Sequence, residues 1–480
     1  MKQLILLRKF IWLQFVITYT CQTTLNAQSN CTSHNTNDVP ISGSNNTGYG
    51  YDAFAVGSGS NNTAVGYKAQ YNNSGSNSTG IGYQALYFNT GTTNTALGAS
   101  ALYNNSSGSA NTASGFNSLG ANSTGNHNTA TGNSSLSANS TGSYNTAHGS
   151  YSLGFGGVTG SYNTASGYMA LLSNSSGGYN TASGANALYE NSTGHHNTAN
   201  GASALYSNST GQDNVASGAS ALYSNTTGVS NTATGALALY ASTTGSYNTA
   251  TGMNALYGNS SGSYNTASGY QALTANSSGY CNTAIGHSAL RQNDAGYNNT
   301  AIGDSAGYNS TGNKNVFLGN FAGYHELSGS NKLYLANDSS NTILYGDFST
   351  GQLLVGNALP AGYVFKGTRK LNVMGGVLAD SVRVAPVAAW ADYVFEDGYR
   401  LTPLHEMEHF IKTNKHLPGI PTGNEVKTEG IELGNMNALL LEKIEELYLY
   451  IIQQQKKMDE LEKAVQELKQ SSGSSGILQK

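Results

Sequence analysis

Charged residues are scarce in this chain of 480 residues, which has 21 Lys and Arg, 25 Asp and Glu, and a formal net charge of −4. Residues 41–300 hold only six of them, namely Asp52, Lys68, Glu190, Asp213, Arg291 and Asp294. Nucleic-acid binding requires a basic stripe that displaces counterions from phosphates. Because more than half of the sequence offers no such stripe, we expect no nucleic-acid partner.

Cysteine, proline and tryptophan are also rare, at 3, 6 and 2 residues. Cys31 and Cys281 lie far apart in the sequence, so they imply no disulfide framework. Glycine, asparagine and serine are abundant instead, a composition that disordered chains share. Disordered chains, however, have few aromatic residues and a high net charge, whereas this chain has 32 Tyr and little net charge. We therefore expect an ordered protein.

The N-terminus has the pattern of an export signal. Basic residues precede a short apolar run at residues 10–20, and Ala27 precedes Gln28 at a small-residue cleavage point. The apolar run is shorter than the roughly 20 residues that a membrane helix needs. We expect a signal peptide at 1–27, a linker at 28–45 and no integral membrane segment after cleavage, in a protein secreted by a bacterium or held on its outer surface.

One phrase recurs from residue 46 to about residue 324: Asn-Thr-Ala-x-Gly-x-x-Ala-Leu-Tyr-x-Asn-Ser-Thr-Gly-x-x. The step between its central glycines is 17 residues, with a few steps of 16 or 18. Such regularity indicates stacked units that each contact only their neighbours. The central glycines are Gly50, Gly66, Gly82, Gly98, Gly115, Gly132, Gly149, Gly167, Gly184, Gly201, Gly218, Gly235, Gly252, Gly269, Gly286, Gly303 and Gly319.

Each repeat contains signals for two short strands and two turns. Asn-Thr-Ala-x-Gly suits a strand, Ala-Leu-Tyr (residues 204–206, for example) suits a second strand, and Asn-Ser-Thr-Gly has turn chemistry. The predicted fold is mostly β, with a helix-free parallel β-solenoid or β-roll at residues 46–324. One small residue and one Leu per coil would stack inward, and the seventeen coils at roughly 4.8 Å each would span about 80 Å.

The phrase Asn-Thr-Ala-x-Gly-x-x-Ala resembles the head repeats of trimeric autotransporter adhesins. The resemblance covers more than half of the chain and implies a left-handed parallel β-roll within a trimeric surface fibre. This chain differs from that family in its longer repeat, and we do not expect it to anchor itself in the outer membrane.

The composition changes after the repeats and predicts a β-rich cap or neck at residues 325–389. Thr402 and Pro403 then predict the start of a helix, with Thr402 as its N-cap. The strand-like segments of the cap are residues 331–337, 353–356, 371–373 and 381–384.

A heptad pattern predicts one long helix and a coiled coil over residues 435–469, followed by a flexible tail at 470–480. Ile at position a with Leu at position d favours two chains. The heptads alone therefore leave dimer and trimer open. The predicted oligomerisation seam consists of Asn437, Leu440, Ile444, Leu447, Ile451, Gln454, Met458, Leu461, Val465 and Leu468.

Residues 390–468 resemble a short form of the intramolecular chaperone that ends endosialidase-type phage tailspikes. The resemblance rests on residues 390–395, 416–421 and 430–437. It implies a helical module at 390–434 that trimerises with the coiled coil and templates the folding of the preceding fibre. Long forms cleave themselves at a Ser-Asp junction, whereas this chain has Asp380-Ser381, so we expect no self-cleavage.

Residues 405–409 match the motif H-E-x-x-H, in which two His one helical turn apart bind zinc. His405 and His409 would be the ligands and Glu406 the general base. Catalytic zinc needs a third protein ligand, and Lys415 stands where the extended motif has His. We therefore expect no metal, cofactor or catalysis, and a zinc metalloprotease is the least favoured alternative.

Together these observations predict a secreted or cell-surface structural or adhesive fibre that is not an enzyme. It would be a homo-oligomer, with three chains favoured by the resemblances, and its ligand would be a host or environmental surface. A regular Thr rank on a flat solenoid face leaves one alternative open, which is binding to ice or polysaccharide. Ala and Gly beside each Thr give no clear paired rank, which disfavours ice.

Overall fold

A computed structural model describes residues 31–33, 43–356, 365, 368–384 and 390–474. The signal peptide and its cleavage point at Ala27 and Gln28 lie outside the described residues, as does the end of the tail. The chain forms two compact units that divide after Gly376. The first contains the repeats and the second contains the helices.

The first unit is a parallel β-solenoid, as predicted. Each coil contributes a short strand that pairs in register with the same strand of the next coil, so that Thr198 lies opposite Thr181 and Ala199 opposite Ala182. Residues 43–356, all of them described, contain no helix. The strands of this ladder are Cys31–Ser33, Thr47–Tyr49, Thr63–Val65, Thr79–Ile81, Thr95–Leu97, Thr112–Ser114, Thr129–Thr131, Thr146–His148, Thr164–Ser166, Thr181–Ser183, Thr198–Asn200, Val215–Ser217, Thr232–Thr234, Thr249–Thr251, Thr266–Ser268, Thr283–Ile285, Thr300–Ile302, Val316–Leu318 and Lys332–Ala336.

The core consists of aliphatic ladders that run from coil to coil. In the coil around residue 200, Ala199, Ala204 and Leu205 are fully buried, and their counterparts in neighbouring coils form one continuous cluster with them. A fully buried Leu contributes about 1.5–3 kcal/mol relative to an exposed one. The predicted inward stacking of small residues and Leu is confirmed. Most coils have a second inward Ala, which is replaced by Ser118, Ser135 and Ser152 in three of them.

The Ala-Leu-Tyr segment is not the second strand that we expected. Ser203 and Leu205 have φ of 55° and 52°, a left-handed conformation that a strand excludes and that costs about 1–2 kcal/mol per residue. The backbone N–H of Leu205 still donates to the carbonyl of Ala221 in the next coil at 2.9 Å. Coil-to-coil bonding therefore continues without strand geometry. A second sheet forms in three coils, with strands Asn72–Asn73, Phe88–Asn89 and Asn104–Asn105.

The central glycine of the repeat meets two constraints at once. Gly201 has φ of +141°, and a Cβ at this position would lie 2.5 Å from the carbonyl oxygen of Gly218. An L side chain rarely adopts this φ, and no atom fits at this distance. Close stacking of successive coils therefore requires glycine here.

Asparagine forms two buried polar ladders, one from the Asn of the Asn-Thr-Ala phrase that predicted a strand and one from the Asn of the Asn-Ser-Thr-Gly phrase that predicted a turn. Asn197 Oδ1 accepts a hydrogen bond from the backbone N–H of Asn214 at 3.1 Å, and its Nδ2 donates to the carbonyl of Gly211 at 2.8 Å. In the second ladder, Asn208 Nδ2 donates to Asn191 Oδ1 at 2.7 Å and to the same Gly211 carbonyl at 3.1 Å. These side chains satisfy turn groups that the narrow core would otherwise leave without partners.

The last coil of the solenoid is followed by an antiparallel cap. Lys332–Ala336 pairs with Thr342–Asp347, which pairs with Gln352–Val355, and Leu371–Val373 then adds in parallel. Three of the four predicted cap segments contain strands, whereas residues 381–384 do not. The antiparallel strands cover the open edge that a parallel ladder would present at this end.

The ion pair between Lys332 and Asp347 should make the cap sensitive to acid. Lys332 Nζ lies 2.8 Å from Asp347 Oδ2, and both side chains are mostly buried. Burial disfavours the ionised carboxylate, but hydrogen bonds from Lys332 and Ser349 outweigh it and lower the pKa of Asp347 from 3.8 to about 2. Because the pKa of Asp347 is lower in the folded chain than in the unfolded chain, the ionised carboxylate stabilises the fold at pH values above about 4. This contribution of up to about 2 kcal/mol is lost as the pH falls from about 4 to about 2.

We expect Asp347→Asn to remove this acid-dependent loss. The measurement is the free energy of opening residues 332–355, taken from hydrogen exchange corrected for its intrinsic pH dependence. Lys332→Met serves as the matched partner variant, because it removes the same pair from the other side. An equally steep loss in the Asn variant would show that another group governs the cap.

The second unit is helical. It contains a 3₁₀ helix at Ala391–Phe395 and α-helices at Leu404–Asn414, Gly423–Glu429 and Leu433–Ser474. Pro403, rather than the predicted Thr402, is the N-cap of the first α-helix. The short second helix was not expected, and it begins with a capping box between Thr422 and Glu425. The long C-terminal helix (Leu433–Ser474) contains the predicted heptads.

Candidate oligomerisation surface

The predicted seam residues lie on one face of the C-terminal helix, and all of them are exposed in the single chain. Leu447 and Ile451 are 56% and 51% exposed, and the polar members Asn437 and Gln454 are exposed as well. Positions a and d recur every 3.5 residues on average, so they form one stripe along the helix. Among residues 390–474, no segment covers this stripe. A helix with such a face ordinarily packs against another helix.

A segment before the first α-helix packs on a different side of the C-terminal helix. Ala391 and Val394 are almost completely buried. Tyr393 and Tyr399 donate hydrogen bonds to the carboxylates of Glu442 and Glu446. In the heptad these two glutamates are at positions f and c, away from the a and d seam. We call residues 390–402 the arm.

The arm also uses the helix one turn further on. Tyr450, at position g, donates a hydrogen bond from its hydroxyl to the backbone carbonyl of Thr402. Thr402, which the sequence predicted as the N-cap of the first α-helix, therefore contacts the long helix through its backbone carbonyl. The arm contacts the C-terminal helix opposite the seam at positions c and f and on its flank at position g. The seam residues themselves stay exposed.

Charges are concentrated beneath the arm. Lys443 Nζ lies 2.6 Å from Glu442 Oε1 and 3.1 Å from Glu446 Oε2, so one ammonium group bridges two carboxylates. The hydrogen bond to Glu442 and burial raise the pKa of Tyr393 to about 12. Both effects keep the phenol protonated at neutral pH, where it acts as a donor. The network fixes the arm in one register along the helix.

Glu445 is a buried carboxylate that takes no part in this network. Its side chain is 8% exposed, and its Oε2 has no hydrogen-bond partner. Burial and the neighbouring Asp392 carboxylate raise the pKa of Glu445. A buried acid without a cation destabilises the contact with the arm when it is ionised. The arm is therefore held by the tyrosines and by apolar contact rather than by this residue.

The two histidines of the H-E-x-x-H motif do not form a metal site with other described residues. His405 and His409 lie on the helix Leu404–Asn414, and both are exposed. His405 Nε2 is 3.9 Å from Glu406 Oε1. In the part of the chain that the structure describes, no group of three or more His, Cys, Asp or Glu side chains is arranged to hold a metal ion. That the protein takes up no zinc stays a prediction.

The solenoid strands present two outward rows. In Thr181–Ser183 the first and third residues are exposed and the central Ala is buried. We expected Ala to interrupt a paired row of Thr side chains, but this Ala points inward. On the outer face, the side chain next to each Thr is therefore the third residue of the same strand. This row varies, and it contains Thr234, His148 and Asn200. Paired Thr side chains thus occur in some coils only.

The comparisons with known proteins leave the family open. No protein-family model matches this chain, and a search of curated proteins finds no relative of significance. None of the helices in the described ranges combines the length and the apolarity that a bilayer crossing needs. Fold and surface chemistry must therefore carry the functional argument.

The sequence alone predicted the exposed stripe of a and d residues but not its surroundings, and the role of the stripe as an oligomerisation seam stays a prediction. Heptads are local and periodic, so ten residues could be assigned from spacing. The arm contacts join residues 47 to 49 positions apart, such as Tyr393 with Glu442. The available signal was two tyrosines ahead of a long helix that has closely spaced carboxylates, together with Tyr450 on that helix, but no spacing rule links these residues to their partners.

Proposed function

We propose that this protein is a secreted or cell-surface fibre in which three chains are joined along the C-terminal helix. The observation that carries the proposal is the apolar stripe of exposed a and d residues, with the arm packed on the sides away from it. Burying Ile444, Leu447 and Ile451 against two other copies would remove their apolar surface from water, at about 25 cal/mol per Å². The β-solenoid is an architecture typical of structural proteins, and it supports a role without catalysis.

The helical unit would also assist folding, as in the chaperone module that it resembles. A parallel solenoid with few charges exposes open edges while it forms, and such edges pair with other chains. Joining three chains at one end raises their local concentration and sets a common register. The unit would act as a nucleus and remain in the mature protein.

The test of the proposed role is localisation together with shape. Antibodies against the solenoid should label intact producing cells or the culture medium, and electron microscopy of the purified protein should show elongated particles. Labelling that appears only after cell lysis would contradict a surface or secreted role. Compact particles would contradict a fibre.

Binding to ice or polysaccharide is a second candidate, supported by the outward Thr rank. Thr181 and Thr198 lie in register on a continuous parallel sheet, and neutral hydroxyls at a fixed spacing can hold ordered water or sugar hydroxyls. His148 and Asn200 interrupt the adjacent row, which weakens the match to a crystal lattice. Inhibition of ice recrystallisation that is lost in Thr181→Lys with Thr198→Lys would favour this candidate.

A further inference from the structure

A row of stacked aromatic rings follows one corner of the solenoid. The ring centroids of Tyr144, Tyr162 and Tyr179 are 4.9 Å apart, and the planes of neighbouring rings differ by 4° and 7°. His127 stacks on Tyr144 at 4.9 Å, and His196 follows Tyr179 at 5.1 Å. We call these five residues the aromatic corner. It presents one ring per coil, in fixed order.

The backbone does not require aromatic residues at this corner. Tyr144, Tyr162 and Tyr179 have φ between 58° and 61°, a left-handed conformation that suits Asn better than a bulky side chain. The equivalent positions of other coils hold residues such as Asn61 and Asn298, with φ of 60° and 55°. The three tyrosines are also 48–57% exposed. Their rings therefore serve the surface rather than the fold.

The geometry of the rings restricts what they can bind. Their faces cover one another, so sugar rings cannot stack on them within the row. The corner offers ring edges and phenol hydroxyls at the coil period. A hydroxyl both donates and accepts, so a second row with the same period can bond to the first. A second copy of this chain necessarily has that period.

Charge and area also fit a second copy. Residues 127–179, which hold four of the five rings, contain no Asp, Glu, Lys or Arg, and His196 at the end of the row lies 3.6 Å from Asp213 Oδ1. Most of the corner therefore carries no like charges that would repel a second corner, and low net charge favours association. Five half-exposed rings offer roughly 500 Å² per copy, or roughly 1,000 Å² for a pair. That area is the lower limit for a specific interface. An interface of this size predicts a weak contact between two corners, and the overall affinity between fibres rises when each fibre carries several corners.

We propose that the aromatic corner joins assembled fibres side by side through contact with the same corner of a second fibre. This contact is separate from the coiled coil, which joins chains within one fibre. Lateral association therefore depends on protein concentration in a range where the mass of the single fibre is constant.

The test compares the full-length protein with Tyr144→Asn, Tyr162→Asn and Tyr179→Asn combined. Asn is the residue that other coils place at this corner, so the variant should fold normally. The control combines Tyr206→Ser, Tyr223→Ser and Tyr240→Ser, which removes as many phenols from the less exposed row at residues 189–257. Ser137 already occupies the equivalent position in another coil.

The measurement is sedimentation velocity over a concentration series, with electron microscopy of the most concentrated samples. We expect bundles for the natural sequence and the control. For the corner variant, bundling should begin at a protein concentration at least about tenfold higher. Unchanged bundling of the corner variant, equal loss in the control, or no bundling of the natural protein would each overturn the proposal. A corner variant whose mass in dilute solution falls would place the corner inside the fibre, and would also overturn it.

Discussion

Replacing Leu447 and Ile451 together by Asp is expected to abolish assembly. Both side chains are about half exposed in the single chain and lie on the apolar stripe of the C-terminal helix. In a coiled coil they would be buried, and a buried carboxylate without a partner costs several kcal/mol. Three chains would bring six such charges into one short stretch. We expect the product to be monomeric or aggregated.

The same variant tests the folding role of the helical unit. If joining the chains nucleates the solenoid, loss of the seam should leave the repeats poorly formed, with a weaker β signal in circular dichroism and faster hydrogen exchange at residues 112–268. Light scattering reports the mass of the assembly. A soluble oligomer of unchanged mass would show that the stripe is not the assembly element.

A matched control lies next to the seam. Ile452→Asp combined with Gln453→Asp puts two carboxylates on the same helix at positions b and c, outside the stripe. Ile452 is 46% exposed, close to the value for Ile451. This control should keep its mass, because its charges remain in water. Loss of assembly in both variants would point to helix destabilisation rather than to the seam.

Replacing Asn197 by Leu is expected to open the solenoid locally. The side chain of Asn197 is fully buried and bonds to Gly211 on one side of its amide and to Asn214 on the other. It also accepts a bond from Asn214 Nδ2 at 3.1 Å and donates to Asn180 Oδ1 at 3.2 Å. Leu leaves the buried backbone N–H of Asn214 without a partner, at about 1–3 kcal/mol. The Gly211 carbonyl, Asn214 Nδ2 and Asn180 Oδ1 each keep one other hydrogen bond. The total loss should therefore be about 1–3 kcal/mol.

Hydrogen exchange locates this effect, because each coil contacts only its neighbours. Amides around residues 180–231 should exchange roughly tenfold to a hundredfold faster, whereas those around residues 282–302 should change little. Asn197→Ser is the matched control, since Ser78 occupies the equivalent position and its hydroxyl accepts from the backbone N–H of Asn94. Equal exchange in the Leu and Ser variants would contradict a role for the amide ladder.

The repeat period determined most of the fold in advance. A strict step with an alternating Thr-Ala-x strand permits few arrangements other than a parallel solenoid. The inward Ala and Leu ladders followed from the need to bury one apolar side per coil. The C-terminal helix followed from its heptads, although it begins two residues before the predicted residue 435.

What sequence reasoning missed depends on contacts between coils. Asn197 looks like the start of a short strand in isolation, because its partners on the neighbouring coils are invisible in one repeat. Leu205 looks like a strand residue, because Leu rarely adopts a left-handed φ. Its conformation is fixed by the bond to Ala221 and by burial in the stack. Similarly, the aromatic corner becomes a row only when coils are stacked in register.

The mass of the dissolved assembly tests the central claim most directly. Light scattering on dilute, full-length mature protein should give three times the mass of one chain, constant over the dilute range. A mass of two chains would replace the trimer with the dimer that Ile at a and Leu at d favour. A single-chain mass at every concentration would contradict the account, because the exposed seam would then have no partner.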